Sequence, residues 1–259
     1  MAALRRAPAP ARLPLALAVL LVLAAVAYPL TDGAARDTVS WTIVLLGSAV
    51  SVTSAAAAHG ARTGAAVLGL VAVTAVAFES VGLATGVPYG TYSYSDALGP
   101  TLLGVPFLVP LAWLMMAWPS RVLAGLLTRR VRPGRRQVAR LAVAAAVFAG
   151  WDVVLDPQLV QAGYWTWAHP TPGLPGIDTV PLTNLAGWLL AGLVLMTLLE
   201  LAVPPTVRVD AAPLLVIAWM VAGGALAHAV WLDLPGSAAW GAALTAVVAA
   251  VLVVQARRR

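Results

Sequence analysis

Apolar residues run along this chain in long blocks separated by short polar segments. Eight blocks, at residues 13–30, 39–58, 64–84, 101–127, 138–155, 182–203, 212–230 and 237–254, are each about eighteen residues or longer, enough for a helix to cross a bilayer at ~1.5 Å per residue. Pro106, Pro110 and Pro119 blur the edges of the fourth. The first block follows Arg5, Arg6 and Arg12 and ends near Ala25-Val26-Ala27, as a cleaved signal peptide would; its length and the seven blocks behind it favour a first transmembrane helix. The pattern predicts an all-α polytopic bundle of about eight spans, one integral-membrane domain over residues 1–259 with a motif-bearing core at 78–201.

Polar residues inside the blocks carry the chemistry. In Trp151-Asp152-Val153-Val154-Leu155-Asp156-Pro157 two carboxylates four apart share a helical face. Pro157 disfavours helix at the preceding residue, so span five is expected to end at Asp156, with Asp152 one turn deeper and Asp156 near the interface. A membrane-embedded carboxylate costs at least ~2.5–3.5 kcal/mol on insertion scales, which makes it a functional candidate. Glu79, about seven residues before the end of span three, lies at comparable depth. Packing the two spans together would bring Glu79, Asp152 and Asp156 into one pocket; the alternative is that each acid ties helices together through a buried hydrogen-bond network.

The two acid-bearing stretches share a template. Counted from Phe78 and from Trp151, an acid follows at once, glycine comes at offset twelve (Gly90, Gly163), and aromatics come at fourteen and sixteen (Tyr92 and Tyr94, Trp165 and Trp167). The spacing suggests a parallel tandem repeat in which spans three and four recur as five and six. Tyr92-Ser93-Tyr94 and Trp165-Thr166-Trp167 alternate with period two, predicting extended segments that lay aromatic faces over the pocket; an ordinary interfacial aromatic belt is the simpler reading.

Composition narrows the classes further. The chain is 61% hydrophobic and 10% charged and has no cysteine, so neither a disulfide framework nor thiolate chemistry is available. All sixteen basic residues are arginine; without lysine, a Schiff base to retinal or pyridoxal phosphate is excluded. On an eight-span topology fifteen arginines fall on one side and only Arg36 on the other. By the positive-inside rule both termini are expected in the cytoplasm, with loops 86–100 and 157–181 outside the cell membrane and the pocket toward the outer leaflet. The arginines sit at span ends, so their charge does not indicate nucleic-acid binding. His169 and His228 stand near the same face without a spaced ligand set, and no metal is expected. Asn184, at the start of span six, is placed to orient water or a carboxylate, and Glu200 to pair with Arg208 or a neighbouring helix.

Together, Phe78-Glu79, the run from Thr85 through Tyr89 and Tyr94 to Asp96 and Gly99-Pro100, Gly104-Val105-Pro106, and Trp151-Asp152 with Asp156-Pro157 resemble the integral-membrane carotenoid biosynthesis family that includes ψ-end carotenoid hydratases. The resemblance implies addition of water to the terminal double bond of a linear carotenoid, such as γ-carotene or a C50 bacterioruberin precursor. It implies a lipophilic carotenoid substrate, membrane lipid and other carotenoid biosynthesis enzymes as partners. No cofactor is demanded. Such chemistry needs a proton donor, a stabilised tertiary cation and a directed water. We assign the catalytic acids to Glu79, Asp152 and Asp156, with Asp152 and Glu79 the competing donors, and substrate binding to Phe78, Tyr89, Tyr92, Tyr94, Asp96, Trp151, Tyr164, Trp165, Trp167 and Asn184. A carotenoid end-group cyclase or isomerase shares the protonation step, and a proton-coupled transporter or carotenoid-binding protein would use buried acids differently. A Mg²⁺-diphosphate prenyltransferase fits poorly, because the outward loops lack cations.

Overall fold

The computed structural model describes residues 12–204 and 209–257, so Arg5, Arg6, Arg208, Arg258 and Arg259 lie outside the described residues. Among the described residues the chain forms eight helical spans long and apolar enough to cross a membrane. Span one is α1 (Arg12–Ala27), prolonged by a 3-10 turn at Tyr28–Leu30, and spans two and three are α2 (Gly33–His59) and α3 (Ala61–Thr85). Spans four, five and six are α4 (Leu108–Leu127), α5 (Pro133–Gln161) and α6 (Leu182–Ala202). Span seven is α7 (Ala211–Ala218), a π turn at Trp219–Gly223 and α8 (Gly224–Val230); span eight is α9 (Pro235–Arg257). Four short strands, β1 (Tyr92–Tyr94), β2 (Thr101–Leu102), β3 (Val105–Pro106) and β4 (Trp165–Trp167), lie between spans.

The central helix is α4, buried continuously from Trp113 to Ala124, as expected of a helix that is apolar all round. It packs against α2, α3, α5 and α7, while α5 also packs against α6 and α9. The fourth span begins at Leu108 rather than at Thr101, because residues 101–106 fold into the β2–β3 hairpin.

The fifth span departs more informatively from expectation. Pro157 lies inside α5, which continues to Gln161, so Asp156 is not a helix-end residue. A proline removes the N–H that would bond the carbonyl four residues earlier. Here that carbonyl belongs to Val153, and Ser237 of α9 donates to it at 2.9 Å. The same substitution occurs in α4, where Pro119 frees the Met115 carbonyl and Ser51 of α2 donates to it at 3.2 Å. Both prolines are tolerated because a neighbouring serine replaces the lost donor.

The arginine-rich end holds a buried ion network. Arg121 of α4 is 1% exposed and donates through Nε to Glu200 Oε1 at 3.0 Å and through Nη2 to the Pro204 carbonyl at 2.9 Å. Arg140 of α5 pairs with the other Glu200 oxygen. Glu200 thus pairs with two neighbouring helices.

At the opposite end β1 and β4 pair antiparallel in the register Tyr92↔Trp167, Ser93↔Thr166 and Tyr94↔Trp165. Ser93 and Thr166, each fifteen residues beyond Phe78 and Trp151 respectively, face each other at the centre. An antiparallel ribbon centred on such a pair has a local two-fold axis, which relates the two strands. Gly90 and Gly163 match in conformation as well as position, with φ of 88° and 76°, values that favour glycine.

Candidate active site

The ribbon roofs a chamber of roughly 1590 Å³, open mouth included, lined by residues from seven of the eight spans. Glu79 and Asp156 both line it, each delivered by the last turns of a span. Glu79 is 4% exposed. Its Oε2 accepts from the hydroxyls of Tyr92 at 2.5 Å and Tyr94 at 2.8 Å. Burial, reinforced by the neighbouring Glu79 carboxylate, pushes both phenols above their ordinary pKa, so they remain hydrogen-bond donors at working pH. The period of two in β1 explains the fork only in part, since Tyr92 and Tyr94 share a face while Ser93 points away.

The second acidic group is a pair. Asn184 of α6 donates from one amide nitrogen to Asp152 Oδ2 at 2.8 Å and to Asp156 Oδ2 at 2.6 Å. Both aspartates are 2% exposed, so Asp156 is as buried within the protein as Asp152, and α5 runs on past it to Gln161. Only Asp156 lines the main chamber. Asp152 borders a smaller void behind it, and its Oδ1 has no hydrogen-bond partner among the described residues. The expected deep donor is therefore shielded by its neighbour.

Tyr89 joins the two acidic groups. Its ring lies between Gly82 of α3 and Gly187 of α6, where an added Cβ would approach ring carbons to 2.8 and 2.5 Å. Any larger residue at Gly187 must displace the ring. The Tyr89 carbonyl accepts from Trp167 Nε1 at 3.1 Å, fastening it to the ribbon. Its hydroxyl is buried, has no hydrogen-bond partner among the described residues, and has its pKa raised by burial and by the nearby Glu79, Asp152 and Asp156. The indole N–H groups of Trp113 and Trp165, turned toward Glu79 and Asp156 respectively, also lack partners. The Tyr89 hydroxyl, within reach of both acidic groups, suits a bound water.

Of the other sequence candidates, Trp151, Tyr164, Trp165, Trp167 and Asn184 line the chamber, whereas Phe78 packs behind it on Trp113. Asp96 is exposed at the start of the 3-10 turn Asp96–Leu98 and does not line the chamber. His169 is exposed; His228 is fully buried and bonds to Ser237 and Gln158. Sequence reasoning missed Trp113 and Trp188, whose rings stack at 5.1 Å on the chamber wall. Trp188 had a readable signal, because it stands four residues after Asn184 and so on the same helical face.

The lining residues that are exposed are Val26 and Leu30 of span one, Leu226 of span seven, and Trp231 directly after it. The chamber therefore opens sideways between those spans, toward lipid. Fold and site together define a multi-pass membrane protein with a carboxyl cluster at the closed end of a lipophilic, laterally open chamber.

Residues 39–255 match the carotenoid biosynthesis protein family, and the chain belongs to it. A similar protein is the bisanhydrobacterioruberin hydratase of Haloarcula japonica, 38% identical over 136 residues, a match covering 51% of this chain and 44% of that protein. The chain thus aligns with less than half of that relative's length. No solved structure matches.

Proposed function

We propose that this protein is a cofactor-independent carotenoid hydratase that adds water across the terminal double bond of a linear ψ-end carotenoid. The observation that carries the reading is the placement of two separate buried acidic groups, Glu79 and the Asp156–Asp152 pair, at the closed end of a chamber whose other walls are apolar and aromatic. The name of the Haloarcula relative points the same way. A polyene enters between spans one and seven and lays its end group between the acids.

The proposed roles follow the hydrogen bonds. Glu79 receives two hydroxyl donors on one oxygen, an environment suited to a carboxylate. The aspartate pair shares a single neutral amide and has no cation in its bonds, so it is the natural seat of the proton. Asp156, which faces the chamber, gives that proton to the less substituted alkene carbon. The π pair forms the new C–H bond and leaves a tertiary cation on the adjacent carbon. Trp and Tyr faces around the end group stabilise it, each by up to ~2 kcal/mol when desolvated. Water held by Tyr89 attacks the cation, forming the C–O bond, and its excess proton passes to Glu79. Exchange through water then returns the proton to the aspartates. The chamber end is proposed to face the outer leaflet of the cell membrane.

Expression in a host that accumulates linear ψ-end carotenoids tests the reading. A pigment heavier by one water supports it; an isomer of unchanged mass indicates a cyclase or isomerase, and unchanged pigment a carrier or transporter. Either of the last two outcomes overturns it.

A further inference from the structure

We infer that the small void behind the aspartate pair is a proton port: a water held in it passes protons from solvent at the ribbon end to Asp152, and Asp152 relays them to Asp156. The use made of the proton rests on the hydratase reading; the port itself rests on residues outside the chamber. The void is walled by Asp152 and Pro157 of α5, by Ile177 and Val180 of the loop that precedes α6, and by Leu182 and Leu185 of α6. None of these lines the chamber. The void has room for about one water molecule. Most of its wall is buried, but Leu182 is 41% exposed, so the void extends from the acid pair to the surface where the loop joins α6.

Asp152 has one oxygen for each side. Its Oδ2 accepts from the Asn184 amide nitrogen that also bonds Asp156, and the two carboxyl groups lie within hydrogen-bonding reach of each other. Its Oδ1, on a side chain 2% exposed, has no partner among the described residues. A buried carboxyl oxygen without a partner is costly, and a water in the adjoining void satisfies it. A carboxyl group so placed takes up a proton on one oxygen and releases one from the other. The chamber serves the same proton poorly, because its mouth opens toward lipid and a bound polyene fills the space in front of Asp156. In each cycle Asp156 loses one proton to the alkene carbon, and Glu79 gains one from the attacking water. The void water then donates to Asp152 Oδ1 as the proton on the other oxygen moves to Asp156, and a solvent proton restores that water. Glu79 releases its proton to solvent after the product leaves, so each cycle consumes one water and no net proton.

The test uses the full-length protein in nanodiscs, its chamber filled with a linear carotenoid whose terminal double bonds have been reduced so that no reaction occurs. The buffer is exchanged for D2O, and the proton of the acid pair is followed by the infrared C=O stretch of its carboxylic acid, assigned by its loss in Asp156→Asn. Val180→Leu fills the void from the loop, Leu174→Phe fills it from a second side, and Val180→Ala leaves it open. Exchange is expected to be about tenfold or more slower in Val180→Leu, Leu174→Phe and Asp152→Asn than in wild type and Val180→Ala. Equal exchange in all five proteins overturns the port. With a reactive ψ-end carotenoid, a first turnover uses the proton already in place and later ones need reloading. Val180→Leu is therefore expected to lower the ratio of repeated-turnover to single-turnover rate; an unchanged ratio shows that the substitution acts on packing and overturns the relay. Slowed exchange without any hydration keeps the port and rejects the hydratase reading. Hydration with exchange unaffected by the substitutions does the reverse.

Discussion

Glu79 and Asp156 occupy template-related halves of the site but not equivalent positions: Glu79 answers to Asp152, whereas Asp156 answers to Leu83, so one half carries an extra acid. That asymmetry lets one side hold a proton while the other accepts one. Asp156→Asn and Glu79→Gln are each expected to lower hydration by ~10²–10⁴-fold, the usual span for a general acid or base, with normal accumulation measured by immunoblot. Asp152→Asn should cost less, because Asp152 acts through Asp156. An equal loss at Asp152 would restore it as the direct donor. The raised pKa values of Tyr92 and Tyr94 have a definite sign. The neutral phenols' contribution to stability is fully present below the ordinary phenol pKa of about 10 and is lost only as pH rises through their higher folded values. The rate should therefore show no phenol titration below pH ~10. All three acids, Asn184 and the β1 tyrosines were legible in the sequence, because a charge in an apolar block must have partners. Which of Asp152 and Asp156 faces the main chamber was not, since that depends on how α5 packs in the bundle.

The continuation of α5 through Pro157 is decided by a serine eighty residues away in sequence, which is why local propensity misplaced the end of the fifth span. The Pro119–Ser51 pair, neither residue of which lines the chamber, repeats the device and allows a cleaner test. Ser51→Ala should destabilise the protein by ~0.6–1.7 kcal/mol where Pro119 is present, and by much less in a Pro119→Ala background, in which the backbone N–H of residue 119 takes over the Met115 carbonyl. Thermal unfolding of the four proteins in one detergent gives the cycle, and additive effects would show that the serine does not replace the lost donor. The ribbon follows the same logic. Each strand was readable from its period of two, but the pairing of β1 with β4 joins segments 73 residues apart (166 minus 93) and emerges only when α3 and α5 deliver their loops to one end. Gly187→Val should push Tyr89 out of its place between α3 and α6 and abolish hydration; a rescue by the double variant Gly187→Val/Tyr89→Ala would show that Tyr89 serves only to pack.

Across the whole molecule, the eight spans were readable from apolar block length alone, and the alternation of helix ends gathers the described arginines except Arg36 away from the ribbon. A reporter fused after Gly173 is expected to read extracytoplasmic and one after Gly134 cytoplasmic; the same side for both would refute the topology. The chamber and its sideways mouth were not legible. They arise because α1 packs on α7, while the π turn and α8 lean on α9, leaving the far halves of spans one and seven apart. The central claim is that water from solvent becomes the hydroxyl of the product under the control of Asp156 and Glu79. Its most direct measurement is mass spectrometry of the pigment formed by the purified protein from a linear ψ-end carotenoid in H2¹⁸O. The account predicts one ¹⁸O per hydrated end with wild type and ~10²–10⁴-fold slower uptake with Asp156→Asn or Glu79→Gln; wild-type pigment that is isomerised or unchanged without taking up ¹⁸O would contradict it.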